Sequence, residues 1–345
     1  MFTQGSIHTS QHSDAIDKYT TRHYRDKSDV RKVTDLAQIC LDHDGLDYVS
    51  TPEEFDIFLR TQPNFELEHD LLLVEDADRL IGYVTTYWRQ QMEGERLYRH
   101  YGTVHPDYRR QGIGTALLAH AEQRGRQVAE THPADIPKAY MCYINDLVTD
   151  RIALVTGAGY KPVRYFYEMV RPLDQPIHQR PMPEGLEVRK ATPDQYRQIF
   201  TALDEAFEDH WGHIALTEAD IQGWMESEYF QPDHWMVAWD GDEVAGNVLN
   251  FIDHNENKRF GRLRGYTEDI SVRRPYRKQG LATSLLTQSL QLLKELGMKE
   301  AGLGVDTDNP NGALQLYERV GYTPTKRSAA YRKPLILDAG KDLND

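Results

Sequence analysis

The strongest constraint on this chain is that it carries one short pattern twice. Tyr108-Arg109-Arg110-Gln111-Gly112-Ile113-Gly114-Thr115 returns as Tyr276-Arg277-Lys278-Gln279-Gly280-Leu281-Ala282-Thr283. Matching Gly112 to Gly280 gives a shift of 280 − 112 = 168 residues. Other landmarks keep nearly that shift: Gly159-Tyr160 with Gly321-Tyr322, Gly82 with Gly246, and Arg25 with Arg189. A repeat with the period of a whole domain means two copies of one fold in tandem. A length of 345 residues agrees, being that of about two domains.

The surroundings of the pattern say what it does locally. A strand is expected over Thr267 to Val272, ahead of the second copy, and the first copy follows Val104. Behind the second copy, Leu285, Leu286, Leu290, Leu292, Leu293 and Leu296 have helical spacing. A basic, glycine-containing turn therefore joins a strand to the start of a helix. That geometry aims free N–H groups and the positive end of the helix dipole at one point, which suits a phosphate. Gly280 allows close backbone approach, small Ala282 leaves room, and Arg277 and Lys278 add charge at the rim. One such turn is equally an ordinary strand-to-helix connection with solvated basic residues; two in register are a stronger signal.

The R-x-x-G-x-G/A loops at 109–114 and 277–282 resemble the acetyl-CoA pyrophosphate loop of the GNAT superfamily of N-acetyltransferases. The segment from Asn309 to Tyr322, with Ala313, Leu316-Tyr317-Glu318 and Gly321-Tyr322, resembles that family's ending. The resemblance covers both halves and implies an α/β fold with a mixed α+β sheet in two tandem GNAT-like domains. These are expected over 1–172, non-catalytic, and 184–345, catalytic. The Pro-containing stretch Pro172 to Pro183 reads as the linker.

The same resemblance implies the site. Backbone N–H groups at Ile270, Ser271 and Val272 would face acetyl-CoA, and Arg277, Lys278, Gln279, Gly280, Leu281, Ala282 and Thr283 would hold its pyrophosphate. Tyr317 matches the tyrosine that protonates the departing thiolate; the competing reading is a core aromatic on an amphipathic helix. Glu268 is the candidate base for the amine, or an ion-pair partner for it, against the reading of a solvated strand-edge glutamate. Strand alternation sends Asp269 to the opposite face. Asn309 and Asn311 would contact the pantetheine arm or cap the following helix. Asp209-His210-Trp211-Gly212 borders the acceptor pocket in this fold, so His210 and Trp211 are candidate substrate-wall residues, although aromatic clusters are more often core. His210 lacks a second ligand at metal spacing, so no metal is expected.

The halves are not equivalent. Aligning the Gly-Tyr pairs sets Val155 opposite Tyr317, and aligning the loops sets His100 opposite Glu268. The first half keeps a second candidate cofactor loop in Val104, Arg109, Arg110, Gln111, Gly112, Ile113, Gly114 and Thr115, without the acid or the base. This asymmetry, with the Phe-x-Asp-His-Trp stretch, resembles tandem acetyltransferases of the mycothiol synthase type. The reading is acetyl transfer from acetyl-CoA to a primary amine, of a small molecule ahead of a protein or peptide, by direct transfer in a ternary complex. A non-catalytic acyl-CoA-binding sensor or scaffold is the rival from another class, discriminated by Tyr317 and Glu268.

Composition excludes more than it suggests. A net charge of −14 and a pI near 5.5 argue against broad nucleic-acid binding. No apolar run approaches membrane-spanning length, and residues 1–20 read as a loose polar stretch without a signal-peptide profile. Cys40 and Cys142 are too few for a disulfide framework, so a cytoplasmic protein is expected.

Along the chain, strands are expected at Arg22–Tyr24, 71–74, 80–87, 98–104, 139–144 and 165–169 in the first half. In the second half they are expected at 186–190, 235–239, 244–252, 268–272, 301–305 and 331–337. Helices are expected at 28–42 (Ser28 as N-cap), 52–60, 115–130, 150–156, 193–208, 284–297 and 311–320.

Overall fold

A computed structural model describes residues 16–92 and 94–337; most of the polar stretch read at 1–20 lies outside them. The first half contains β1 (Thr20–His23), α1 (Ser28–His43), α2 (Pro52–Thr61), a single turn α3 (Leu67–Asp70), β2 (Leu71–Asp76), β3 (Arg79–Gln90) and β4 (Arg96–Val104). It continues with α4 (Ile113–Glu130), β5 (Lys138–Asn145), α5 (Thr149–Gly157) and β6 (Lys161–Pro172). The second half contains β7 (Glu187–Arg189), α6 (Tyr196–Phe207), α7 (Glu218–Glu226), β8 (Met236–Asp240), β9 (Glu243–Phe251), α8 (His254–Phe260) and β10 (Arg264–Val272). Then come α9 (Leu281–Glu295), β11 (Glu300–Asp306), α10 (Ala313–Val320) and β12 (Thr323–Pro334).

All strands join one sheet in the order β1-β2-β3-β4-β5-β12-β6-β11-β10-β9-β8-β7. This order reads the same from both edges once each strand is replaced by its repeat partner. The closing strands are exchanged: β6 pairs with β11 of the second half, and β12 pairs with β5 of the first. β6 and β12 pair with each other at the centre. The two sequence repeats therefore share one continuous hydrogen-bonded sheet, and each half takes a strand of its core from the other.

The helices lie where the apolar spacing demands. On α9, Leu281, Leu285, Leu286, Leu290 and Leu293 are all buried to 1% exposure or less, each contributing roughly 2 kcal/mol by burial. Gly265 on β10 lets this helix sit close, because a Cβ there would meet Leu293 Cδ2 at 2.5 Å. Across the halves, α7 packs on α2, and Arg89 holds Asp220 with two bonds of 2.7 and 2.8 Å.

Four local expectations are corrected. Ser28 is the first residue of α1 rather than its cap: Asp26 Oδ1 accepts its N–H at 2.8 Å. The last strand begins at Thr323, not Tyr331, since it must cross the sheet centre between β5 and β6. Helices α7 and α8 were not expected. α8 has the sequence HNENKRF, with too little apolar periodicity to signal a helix, and is started by Asp253 accepting Glu256 N–H at 2.7 Å.

The exchange makes a prediction. Residues 1–172 or 184–345 expressed alone should lack a cooperative thermal transition as monomers, because each core misses its neighbour's strand; mixing them should restore one. Two independently melting monomeric fragments would contradict it.

Candidate active site

The two pattern copies fold alike. Gly112 and Gly280 have φ of 88° and 86°, and the preceding-but-one residues Arg110 and Lys278 have φ of 62° and 63°. At the start of each long helix, the first intrahelical bonds run from Ala116 N–H to Gly112 O and from Ser284 N–H to Gly280 O, 3.0 Å each. The three N–H groups before Ser284, on Leu281, Ala282 and Thr283, have no helical acceptor.

The motif arginine is a clamp. Arg277 gives Nε–H to Val272 O at 3.0 Å, Nη2–H to Ala206 O at 3.1 Å and Nη1–H to Asp209 at 2.6 Å. Arg109 does the same with Val104 O (3.2 Å) and Asp44 (2.6 and 2.9 Å). Hydrogen bonds from Arg274 and Arg277 hold the Asp209 carboxyl below its usual range. The guanidinium thus ties the loop to the strand and to the helix behind it.

The halves diverge at the strand before the loop. β4 runs beside β3 without interruption, from Val104 opposite Gly82 to Arg96 opposite Gln90. β10 does not: Ser271 faces Asn247, yet Glu268 faces Leu249, so β10 holds one residue more than β9 across that interval. This is a β-bulge. Asp269 occupies it in the left-handed region at φ 49°, and Asn247 secures it. Asn247 Nδ2–H donates to Asp269 O at 2.8 Å, and Ser271 Oγ–H donates to Asn247 Oδ1 at 2.9 Å.

The bulge corrects one alignment. Leu97 pairs with Ala139 and that with Pro334; Arg264 pairs with Glu300 and that with Pro172. The shift upstream of the bulge is therefore 264 − 97 = 167. His100 stands opposite Thr267, not Glu268. Side-chain contacts agree: His100 Nε2 meets Tyr160 Oη at 3.0 Å, as Thr267 Oγ1 meets Tyr322 Oη at 2.8 Å. The residue opposite Glu268 is Tyr101, with the Arg151 guanidinium 4.8 Å over its ring. Burial lowers His100 to about 3, so its imidazole stays neutral.

Beyond the bulge the sheet opens. The parallel ladder of β10 with β11 ends at Tyr266 opposite Gly302. In the gap Glu268 Oε1 accepts Gly304 N–H at 2.8 Å, a bond the next ladder step would otherwise make. A cavity of about 840 Å³ lies along this opening. Of the residues singled out in the sequence, Glu268, Ile270, Ser271, Val272, Arg277, Lys278, Gly280, Leu281, Ala282, Asn309, Asn311, Tyr317 and His210 line it. Asp269 lines it as well, because the bulge cancels the alternation that would send it to the other face. Gln279 and Thr283 do not; Gln279 donates to Pro275 O at 3.1 Å.

Trp211 is elsewhere. Its ring packs near Phe166 (6.3 Å) and under Arg332 (4.4 Å), against Leu97 and Met141 of the first half. Asn309 Oδ1 accepts Asn311 N–H at 2.8 Å, closing a turn, while Gly312 at φ 71° occupies the cap position of α10. None of Arg109 to Thr115 lines this cavity or a second one of about 340 Å³ beside Asn64 and Trp88.

Several lining residues had no signal in the sequence, three of them on a single strand. Phe166, Tyr167 and Glu168 come from β6, the strand donated by the first half. Glu168 holds Tyr48 Oη and Lys326 Nζ, the latter at 3.1 Å. Only the strand exchange brings them here, and nothing in a single repeat announces an exchange.

The electrostatics follow from enclosure. Glu268 and Asp269 are half-buried, and both line the cavity. Burial, then the neighbouring Asp269 and Glu168 charges, push Glu268 up to about 8 despite the Gly304 N–H. Burial alone lifts Asp269 to about 7. Tyr317 is 6% exposed, and burial together with the Glu268 charge raises its hydroxyl well above the ordinary range. A carboxyl pushed up to about 8 and a phenol raised above its ordinary range thus line one cavity.

Because its folded pKa is raised, Glu268 binds a proton more tightly in the folded chain between its ordinary value and about 8, so stability falls as pH rises through that window. Glu268→Gln removes this loss. Melting temperatures should show the variant gaining on the parent as pH rises from about 5 to about 9; parallel curves would mean that Glu268 is solvated.

Comparison with known proteins agrees with this geometry. A model of the acetyltransferase (GNAT) family matches residues 34–133 and 196–322. The mycothiol acetyltransferase of Salinispora arenicola is 29% identical, covering 89% of this chain and 94% of its own. That of Propionibacterium freudenreichii is 26% identical, covering 87% of each. The crystal structure of a GCN5-related N-acetyltransferase from Sphaerobacter thermophilus superposes with a TM-score of 0.69 at 26% identity, over 92% of this chain and 96% of that one. A tandem GNAT protein from the clavulanic acid biosynthesis pathway shares the fold, with a TM-score of 0.66 at 17% identity over 92% and 98% of the two chains. With both loops, the opened strand pair and two family matches in place, this chain belongs to the acetyltransferase (GNAT) family and is an N-acetyltransferase that uses acetyl-CoA.

Proposed function

We propose that the second half transfers an acetyl group from acetyl-CoA directly to the primary amine of a small molecule, both substrates being bound together. The observation that carries this is the bulge at Asp269, which sets Glu268 in the opened strand pair within the cavity that Tyr317 also lines. The names of the 26–29% identical relatives support a small-molecule acceptor.

The residues present fit the cofactor. Gly280 and the unpartnered N–H groups of Leu281, Ala282 and Thr283 suit a pyrophosphate, and the free edge of β10 past Tyr266 suits an amide-bearing arm. When bound, acetyl-CoA supplies the activated acetyl group as a thioester.

Glu268 accepts the proton of the incoming ammonium; a base near pKa 8 is matched to that task at neutral to mildly alkaline pH. Tyr317, kept protonated by burial and by Glu268, gives its proton to the departing sulfur. Backbone N–H groups beside the bulge are placed to stabilise charge on the acyl oxygen. Lys278 and Arg319 line the cavity and offset the donor's phosphate charge. The first half, whose loop lines neither cavity, acts as a structural partner and supplies β6. The two buried, unbonded cysteines fit a cytoplasmic setting.

Two variants test the roles. Tyr317→Phe keeps the ring and should lower kcat by about a hundredfold while leaving the acetyl-CoA Kd unchanged. For the parent, kcat/KM should rise with pH and level off near 8, and Glu268→Gln should lose that limb together with most of the rate. Normal turnover in Tyr317→Phe returns that tyrosine to packing; an unaltered pH profile in Glu268→Gln removes the base.

A further inference from the structure

The connection between β6 and β7 does more than join the halves. Ile177 packs against the Leu286 and Leu290 cluster, and Met182 against Leu281 and Leu285. Between them the backbone at residue 180 is pinned to the buried face of α9. Ser284 Oγ–H donates to Arg180 O at 2.9 Å, and Arg180 N–H reaches Thr287 Oγ1 at 3.5 Å. The strap therefore crosses the first turns of α9 in one register.

Its side chain then meets the phosphate loop. A Cβ built on Gly280 would lie 2.5 Å from Arg180 Cζ and 2.7 Å from Nη2. The guanidinium rests on the open side of the one loop residue that has no side chain. Arg180 is exposed, and its guanidinium makes no hydrogen bond or ion pair among the described residues. The loop's own arginine is not free for such a contact, because all three nitrogens of Arg277 are engaged with Val272, Ala206 and Asp209.

Resting on the donor site proposed above, we infer that Arg180, delivered by the connection between the halves, is an ionic contact for the phosphate groups of acetyl-CoA at the Gly280 loop. A planar guanidinium suits a phosphate better than a lysine does, because it donates two parallel bonds. At the corresponding loop of the first half, among the described residues, Lys18 Nζ donates to Gln111 Oε1 at 3.5 Å.

Titration calorimetry on the full chain tests this with acetyl-CoA and 3′-dephospho-CoA. Arg180→Ala should weaken acetyl-CoA binding by about tenfold, Arg180→Glu by more, and Arg180→Lys by less; the differences should shrink in high salt. A difference that vanishes with 3′-dephospho-CoA assigns the contact to the 3′-phosphate; one that persists assigns it to the pyrophosphate. Parent-like affinity in both Arg180→Ala and Arg180→Glu, with the parent binding normally, overturns the inference and leaves the donor site standing. Absence of binding in the parent overturns the donor site and this contact with it.

Discussion

One extra residue in β10 organises the chemistry of this protein. The bulge at Asp269 lets the strand leave its ladder with β11 after Tyr266 and turns Glu268 to take the Gly304 N–H. Left-handed backbone at an aspartate is unfavourable by itself, and the Asn247 and Ser271 side chains hold it in place. The consequences are joined: an open strand edge, a carboxyl in an enclosed space, and a cavity running to the start of α9. Straighten the strand and all three are lost at once.

The first half shows what the fold does without that residue. Its loop has nearly the same backbone angles and the same arginine clamp. Its strand β4 stays in register, His100 fills the position of Thr267, and Val155 replaces Tyr317. The first half thus keeps the parts that hold the loop and lacks the bulge and the counterparts of Glu268 and Tyr317. The half is not dispensable, because β6 completes the other half's sheet and brings Phe166, Tyr167 and Glu168 to the cavity. Shared strands also explain why the twofold pattern of the sequence becomes a single sheet.

Much of this was legible in the sequence because the signals are local. A strand, a glycine turn and a leucine-spaced helix announce a phosphate loop, and the repeat announces two of them. Tyr317 and Asn309 were placed by the resemblance of residues 309–322 to the family's ending. The exchange of β6 and β12 was not legible, since pairing partners of closing strands are set by the whole sheet and not by their own residues. The bulge escaped notice for a related reason: a register slip appears only when β9 is laid beside β10, and it moved the counterpart of Glu268 from His100 to Tyr101. Trp211 was placed by proximity to His210, yet its ring lies between Arg164 of the first half and Arg332 of β12. α8 was missed because a polar seven-residue helix has no apolar stripe to read.

The central claim is that the second half alone binds the acetyl donor. Stoichiometry measures this most directly: calorimetric titration of acetyl-CoA into the intact chain, into Gly112→Glu and into Gly280→Glu. One site per chain is expected, kept in Gly112→Glu and lost in Gly280→Glu. Two sites, or a single site removed by Gly112→Glu, would contradict it.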